Sequence, residues 1–409
     1  MLASGCWDRR ELDDQAFVLT IGIDKGPQNQ LLVTFRIAIP SKAGLGPGGG
    51  TSGPGSVAKQ ASLLTTIAAP TIPAAMALAS GYIDRDLNLM HTKTVLFGET
   101  YAKDGIAPVL NLLTRYRELR RNIFLGVTKG YAYEFLAANE PDLEKSFAKW
   151  WEGVKMMESS QAIHPGTQLN EFLNDLESDS RAGIMMYLAV NKQAKNKDAK
   201  NLKIPPDFAK GTLSVKAGDI PRIGGDPSEI VGTAVFKGDK FDDVLNLVET
   251  RSLLMLSGDM KKALYSIPDP EKKNNYIAVE IKQGSPPKIK VTITGDQILI
   301  KEALSLEGDL LDIQSGINYA AYFNKQTELN RSVEAVIKQR AESMLNRLQS
   351  RGIDIVGYSD YAKRNFWTEQ DWKYFNWVKK YPTAKIVLDV NFNLRRTGMQ
   401  GKQPSHTSE

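Results

Sequence analysis

The groups that could do chemistry in this 409-residue chain are few and far apart. The sole cysteine is Cys6, and the histidines are His91, His164 and His406. One thiol forms no internal disulfide and no cysteine-based metal cluster. The histidines stand at none of the short spacings that bring two imidazoles to one metal, so no zinc site is expected. Hydrolysis needs a nucleophile held against a base, or two carboxyls across a cleft. The chain has no Gly-x-Ser-x-Gly elbow, and its least implausible acid pair is Asp360 with Glu369, either side of Trp367. The run Glu177-Ser178-Asp179-Ser180 lacks the spacing of a calcium loop. Residues 41–56 are glycine-rich but carry Pro47 and Pro54 and no Lys-Ser/Thr pair, which makes them a surface loop rather than a phosphate cradle. Trp367, Trp372 and Trp377 recur every five residues. At about 100° per helical residue, each step of five leaves a net turn of about 140°, so these rings share no face and divide between core and surface. The residues point to no catalytic, cofactor-binding or metal site.

Cys6 remains. The small residues before it, Leu2-Ala3-Ser4-Gly5-Cys6, resemble the box at which bacterial lipoproteins are cleaved and acylated. Ala3 stands where leucine is commoner, and the charged and apolar stretches of a signal peptide do not precede it. We expect those to belong to a longer precursor. One acyl chain holds a protein at a membrane only marginally, whereas two or more hold it firmly at about 0.8 kcal/mol per buried CH₂. A diacylglyceryl group on Cys6 would thus anchor the protein although no run of about 18 apolar residues is present. The net charge is +5. The densest basic stretches are 115–121 and 192–203, and neither is interleaved with aromatics. They read as solvated faces, so nucleic acid is not an expected partner; a positive domain does suit anionic headgroups.

Hydrophobic residues make up 42% and charged residues 24% of the chain, which supports several packed cores. The spacing of apolar residues predicts an α+β protein, three mixed α/β domains in series with largely antiparallel sheets. Residues 1–16 form an anchor segment and tether. The N-terminal domain spans 17–203, with a hairpin of strands 17–23 and 31–39, helices near 72–80, 105–121 and 133–138, and strands 93–97 and 122–128. A middle domain spans 204–270, with strands 212–216 and 229–237, a helix 241–256 and a connector 260–273. The C-terminal domain spans 271–398, with strands 276–282, 288–294 and 298–306, a long helix 318–350, a second helix 359–379 and a final strand 384–395. There Ile386, Leu388, Val390, Phe392 and Leu394 alternate strictly with polar residues. The tail 399–409 is polar and expected to be disordered.

The order of several short segments resembles one family. Gly5-Cys6-Trp7-Asp8-Arg9-Arg10-Glu11-Leu12 is similar to the mature N-terminus of the Ger(x)C spore germination lipoproteins, and runs into Gly22-Ile23-Asp24. The likeness continues through His91-Thr92-Lys93-Thr94-Val95-Leu96-Phe97-Gly98-Glu99, Arg117-Glu118-Leu119-Arg120 and Val127-Thr128-Lys129-Gly130. It resumes at Gly232-Thr233-Ala234-Val235-Phe236-Lys237 and Glu249-Thr250, and ends on Asp354-Ile355-Val356-Gly357 and Leu394-Arg395-Arg396-Thr397-Gly398. Ser359 stands where the family more often has glycine.

The resemblance implies the C subunit of a nutrient-germinant receptor, in three α+β domains. It would be acylated at Cys6 and face outward from the spore inner membrane, assembled with integral membrane A and B subunits. It implies no catalytic residue, cofactor or metal. The alternatives are a lipid-anchored solute-binding protein that captures a small germinant, against which the antiparallel alternation of the strands argues, and a hydrolase of the cortex or wall.

Overall fold

The computed structural model describes residue 11 and residues 14–39, 62–144, 146–178, 180–196, 198–319 and 322–396. Cys6, the glycine-rich segment 41–56 and the tail 399–409 lie outside the described residues. Apolar runs on either side of a Gly26-Pro27 turn make the first hairpin, β1 (Gln15–Lys25) and β2 (Leu31–Ala38), paired antiparallel from Val18↔Ile37 to Lys25↔Leu31. β3 (Ser62–Ala69) extends it, followed by α1 (Ile72–Ala79), which has Thr71 as its cap and Pro73 in its first turn. β4 (Asp86–Asn88) and β5 (Thr94–Gly98) both lie parallel to β1. Helices α2 (Glu99–Asp104) and α3 (Ala107–Arg115) lead to β6 (Phe124–Thr128). Helices α4 (Ala132–Ala138), α5 (Phe147–Gln161) and α6 (Leu169–Glu177) lead to β7 (Ile184–Val190). β6 and β7 continue the parallel run, and β8 (Ser228–Lys237) and β9 (Lys240–Leu245) finish the sheet antiparallel. The strand order is β3-β2-β1-β5-β6-β7-β8-β9, with β4 beside the start of β1.

Both faces of this sheet are covered. Val95, Phe97, Leu125, Val127 and Tyr187 pack with α1, α3 and α6, while Leu96, Met186 and Leu188 pack with α4 and α5. Strands buried on both faces carry continuous apolar runs, such as Ile184–Val190, which is the pattern of parallel sheets.

Helix α7 (Leu247–Ser257) joins the first sheet to a second, made of β10 (Lys262–Pro268), β11 (Tyr276–Thr294), β12 (Gln297–Ile313) and β13 (Lys385–Arg396). The first three strands form an antiparallel meander. The long helix α8 (Phe323–Gln349) and the short helices α9 (Tyr358–Lys363), α10 (Glu369–Phe375) and α11 (Trp377–Lys380) lie between β12 and β13, which pair in parallel. One core runs from Val235 and Leu245 through Leu253–Leu256 into the second sheet and α8, so the two sheets share buried surface.

The protein is α+β, and both of its sheets are mixed rather than largely antiparallel: β1, β5, β6 and β7 run parallel side by side. The crossovers from β5 to β6 and from β6 to β7 are helical, the usual way to join parallel neighbours, whereas β1 reaches β5 through β2, β3, α1 and β4. The first sheet also crosses the boundary expected at 203/204, because β7 pairs with β8. Several elements differ from expectation. The helix expected at 105–121 is shorter, Ala107–Arg115, and a separate helix, Glu99–Asp104, precedes it across Gly105 (φ +123°). The helix expected at 241–256 begins as strand β9. Its helical part starts only at Leu247, where Asn246 and Glu249 form a reciprocal capping box. Part of the expected connector 260–273 is strand β10, and residues 212–216 belong to no strand. Strands 276–282 and 288–294 are one strand, which passes Pro286 and Pro287 at a register shift. The helix expected at 359–379 breaks twice, the second time at Asn376 in the left-handed region (φ 53°).

Candidate functional site

Two buried carboxylates organise the segments singled out in the sequence. Asp24 ends the Gly22-Ile23-Asp24 run at the tip of β1 and is fully buried. Helix α4 has no side-chain cap of its own. Asp24 supplies one from 108 residues away, accepting hydrogen bonds from the backbone N–H of Ala132 (2.7 Å) and Tyr133 (3.0 Å). Burial pushes its carboxyl up to about 6, against the pull of those two donors. Gly98 belongs to the same assembly, since a Cβ there would sit 2.0 Å from an Asp24 carboxylate oxygen. In α/β sheets, ligand crevices open beyond the carboxyl ends of parallel strands. Here that end of β1 and β5 is filled by Asp24, Gly98 and the start of α4.

Asp354 does the same work in the second half of the protein. Its carboxylate accepts the backbone N–H of Gly357 (2.9 Å), Tyr358 (3.1 Å) and Ser359 (2.8 Å), and the Trp377 indole N–H (3.2 Å). Its carbonyl accepts the N–H of Ala182 (2.9 Å), tying α9 to the entry of β7. Gly357 takes φ +86°, the left-handed region that favours glycine, and a Cβ there would press on the Arg181 guanidinium at 3.1 Å. The Asp354-Ile355-Val356-Gly357 segment is therefore a joint between the two halves. A second tie is ionic: Arg347 on α8 reaches Asp243 and Glu249, and Arg351 reaches Asp242 and Asp243.

The grooves on the described surface include two lined by residues singled out in the sequence. The larger, about 470 Å³, lies beside the Asp354 joint, between Ser178 at the end of α6 and the helices α9 to α11. Asp360 and Glu369 both line it, so the structure brings the expected acid pair to one groove. Each faces a cation: Asp360 lies 3.6 Å from Arg181, and Glu369 lies 2.7 Å from Lys363. The Lys363 hydrogen bond holds Glu369 below the usual carboxylate range, the opposite of what a general acid needs. Of the three tryptophans, Trp372 and Trp377 are buried and Trp367 is fully exposed, the division expected from their spacing. The smaller groove, about 210 Å³, lies at the opposite end of the parallel strands from Asp24, between His91, Lys93, Arg120 and Lys155. His91 stacks edge-on against Phe17. His164 is buried, and burial lowers it to about 4.

The sequence reading missed Asp24, Asp354 and Glu302 as structural carboxylates. For Glu302 a signal existed, because it occupies an inward position of β12 between Ile300 and Leu304.

Residues 8–190 match the profile described as spore germination protein N-terminal domain, and residues 231–398 match that described as spore germination B3/GerAC-like, C-terminal. The chain belongs to the GerAC-like spore germination proteins. Among relatives, the putative spore germination protein YfkR of Bacillus subtilis is 25% identical over 99% of this chain and 96% of its own length. Spore germination protein KC of B. subtilis is 22% identical over 98% of this chain and 94% of its own. The crystal structure of the GerBC protein shares the fold, with a TM-score of 0.54 at 15% identity, covering 91% of this chain and 96% of that one. Among the described residues no helix is long and apolar enough to cross a membrane.

Proposed function

We propose that this GerAC-like protein is the C subunit of a spore nutrient-germinant receptor. It is held by a lipid on Cys6 to the outward side of the spore inner membrane and assembles there with integral membrane A and B subunits. It works by binding and positioning rather than by catalysis. The observation that carries this reading is the two-part family match, which spans nearly the whole chain in the order of that family. The fold supports it in kind: two sheets with a common core and two carboxylate joints make a stiff body suited to scaffolding. The test is a pull-down from detergent-solubilised spore membranes with the full-length protein tagged at its C-terminus. Co-purification of a permease-like subunit and a second membrane subunit is the expected result. Recovery of the protein alone, or from the soluble spore core, would refute it. Cys6→Ala in the full-length precursor should move the protein out of the membrane fraction, and its retention there would refute the anchor.

A further inference from the structure

The N-terminal ends of the parallel strands gather a cluster of arginines. The exposed loop 116–123 enters β6, and with the last residue of α3 it carries Arg115, Arg117, Arg120 and Arg121. All four are exposed, and among the described residues none has an ion-pair or hydrogen-bond partner for its guanidinium. Structural demand does not account for them. Their neighbours do have structural roles: Leu119 and Ile123 are core residues, and Glu118 accepts the N–H of Leu89 at 2.9 Å. Lys93 and Lys155 border the same surface through the smaller groove. The exposed acids there are Glu11 and Asp14, just ahead of β1, with Asp84, Asp86, Glu152 and Glu171. Glu11 has a partner, Glu152 meets Lys93 at 3.5 Å, and Glu171 belongs to the cap of α6. Met90, which lines the smaller groove with Lys93, Arg120 and Lys155, exposes apolar area beside the cations.

The second observation is where the chain enters. β1, β5 and β6 are parallel, so their first residues, Gln15, Thr94 and Phe124, lie at one end of the sheet. Cys6 precedes Gln15 by nine residues, a span of at most about 30 Å when fully extended. A bilayer holding Cys6 is therefore within about 30 Å of the start of β1, on the side where the arginines project.

We propose that this end of the first sheet is a membrane-facing surface, with Arg115, Arg117, Arg120 and Arg121 binding anionic phospholipid headgroups. The surface rests on the tether reading for its orientation, but its lipid affinity is measurable without the tether. It gives the protein a second, electrostatic hold that orients it on the bilayer.

The test is flotation of the Cys6→Ser protein, which carries no lipid, with vesicles. Vesicles of equal parts phosphatidylglycerol and phosphatidylcholine are compared with pure phosphatidylcholine in about 0.1 M NaCl, where the Debye length is about 10 Å. Binding to the anionic vesicles alone, with release in about 0.5 M NaCl, is expected. Each cation near such a surface contributes about 1 kcal/mol, or roughly fivefold in partition. Arg117→Gln/Arg120→Gln/Arg121→Gln should accordingly lose on the order of 100-fold. The matched control Lys288→Gln/Lys290→Gln/Lys301→Gln removes three exposed charges from the β11–β12 hairpin and should bind as the parent does. Equal loss in the control, no preference for anionic vesicles, or unchanged binding by the arginine variant each overturns the proposal. So does an arginine variant that keeps vesicle binding but loses the membrane subunits in the pull-down, which would make this surface a protein dock. Because the flotation uses neither acyl group nor partner subunits, its failure leaves the receptor reading standing, and the converse holds.

Discussion

Glu302→Gln should make the protein more stable at neutral pH and almost no different in mild acid. Glu302 points inward from β12 and is 1% exposed. One carboxyl oxygen accepts the Tyr358 hydroxyl at 2.5 Å, and the other has no hydrogen-bond partner among the described residues. Burial pushes the group from 4.5 to about 8, against the pull of the Tyr358 hydrogen bond. In the unfolded chain the carboxyl ionises near its ordinary value, so between about pH 4.5 and pH 8 the folded state holds a proton that the unfolded state has lost. Stability is then full below the unfolded value and falls as pH rises through the folded one. At about 1.4 kcal/mol per pH unit, the loss accumulates to roughly 3 kcal/mol at pH 7 and roughly 4 kcal/mol at pH 8, but stays under about 1 kcal/mol at pH 5. Glutamine cannot ionise, keeps an acceptor for Tyr358, and places an NH₂ where the carboxylic proton stands. Urea melts of both proteins, followed by tryptophan fluorescence at about pH 5, 6.5 and 8, read the difference. Curves that diverge toward high pH are expected. Parallel curves, or a variant less stable at every pH, would show that Glu302 is charged in the fold and has a partner there.

Asp354→Ala strips three backbone donors and the Trp377 indole of their acceptor in a fully buried place. We expect a loss of at least about 3 kcal/mol in urea melts, and a cost for Asp360→Asn, on the rim of the same region, within about 0.5 kcal/mol. Gly98→Ala forces a methyl against the Asp24 carboxylate. That should cost about 2 kcal/mol or more and, in hydrogen exchange, expose the Ala132 and Tyr133 amides first. Trp367→Ala removes a ring that touches nothing buried, and should leave the melt unchanged within about 0.5 kcal/mol.

Local patterns in the sequence were legible where one face of an element is wet. β13 alternates strictly, and α8 carries its apolar stripe from Leu329 to Leu348. Those elements stand within a few residues of expectation. Reading failed where two patterns overlap. Phe241, Val244, Leu245 and Val248 fit a helical stripe, yet the cap at Asn246 divides them between a strand and a helix. Pro268 and Pro270 suggested a connector, but Pro268 stands at the last position of β10. The short apolar strand β7 carries no period to separate it from a helix. The parallel order of β1, β5, β6 and β7 is set by long-range pairing, to which local spacing is blind. The family segments proved more informative than their chemistry suggested: Asp24 and Asp354 carry the joints of the fold. Cys6, the one site residue read from sequence, lies outside the described residues and stands as the anchor in the proposal.

The placement of β1 has a mechanical consequence. It is an interior strand, flanked by β2 along Val18–Lys25 and by β4 and β5 on its other edge. Tension on the chain ahead of Gln15 pulls along the strand axis, so the rungs on both edges are loaded together in shear rather than peeled one at a time. A tug from a leash fastened there would spread through the whole first sheet, and across the core it shares with the second, before any strand gave way.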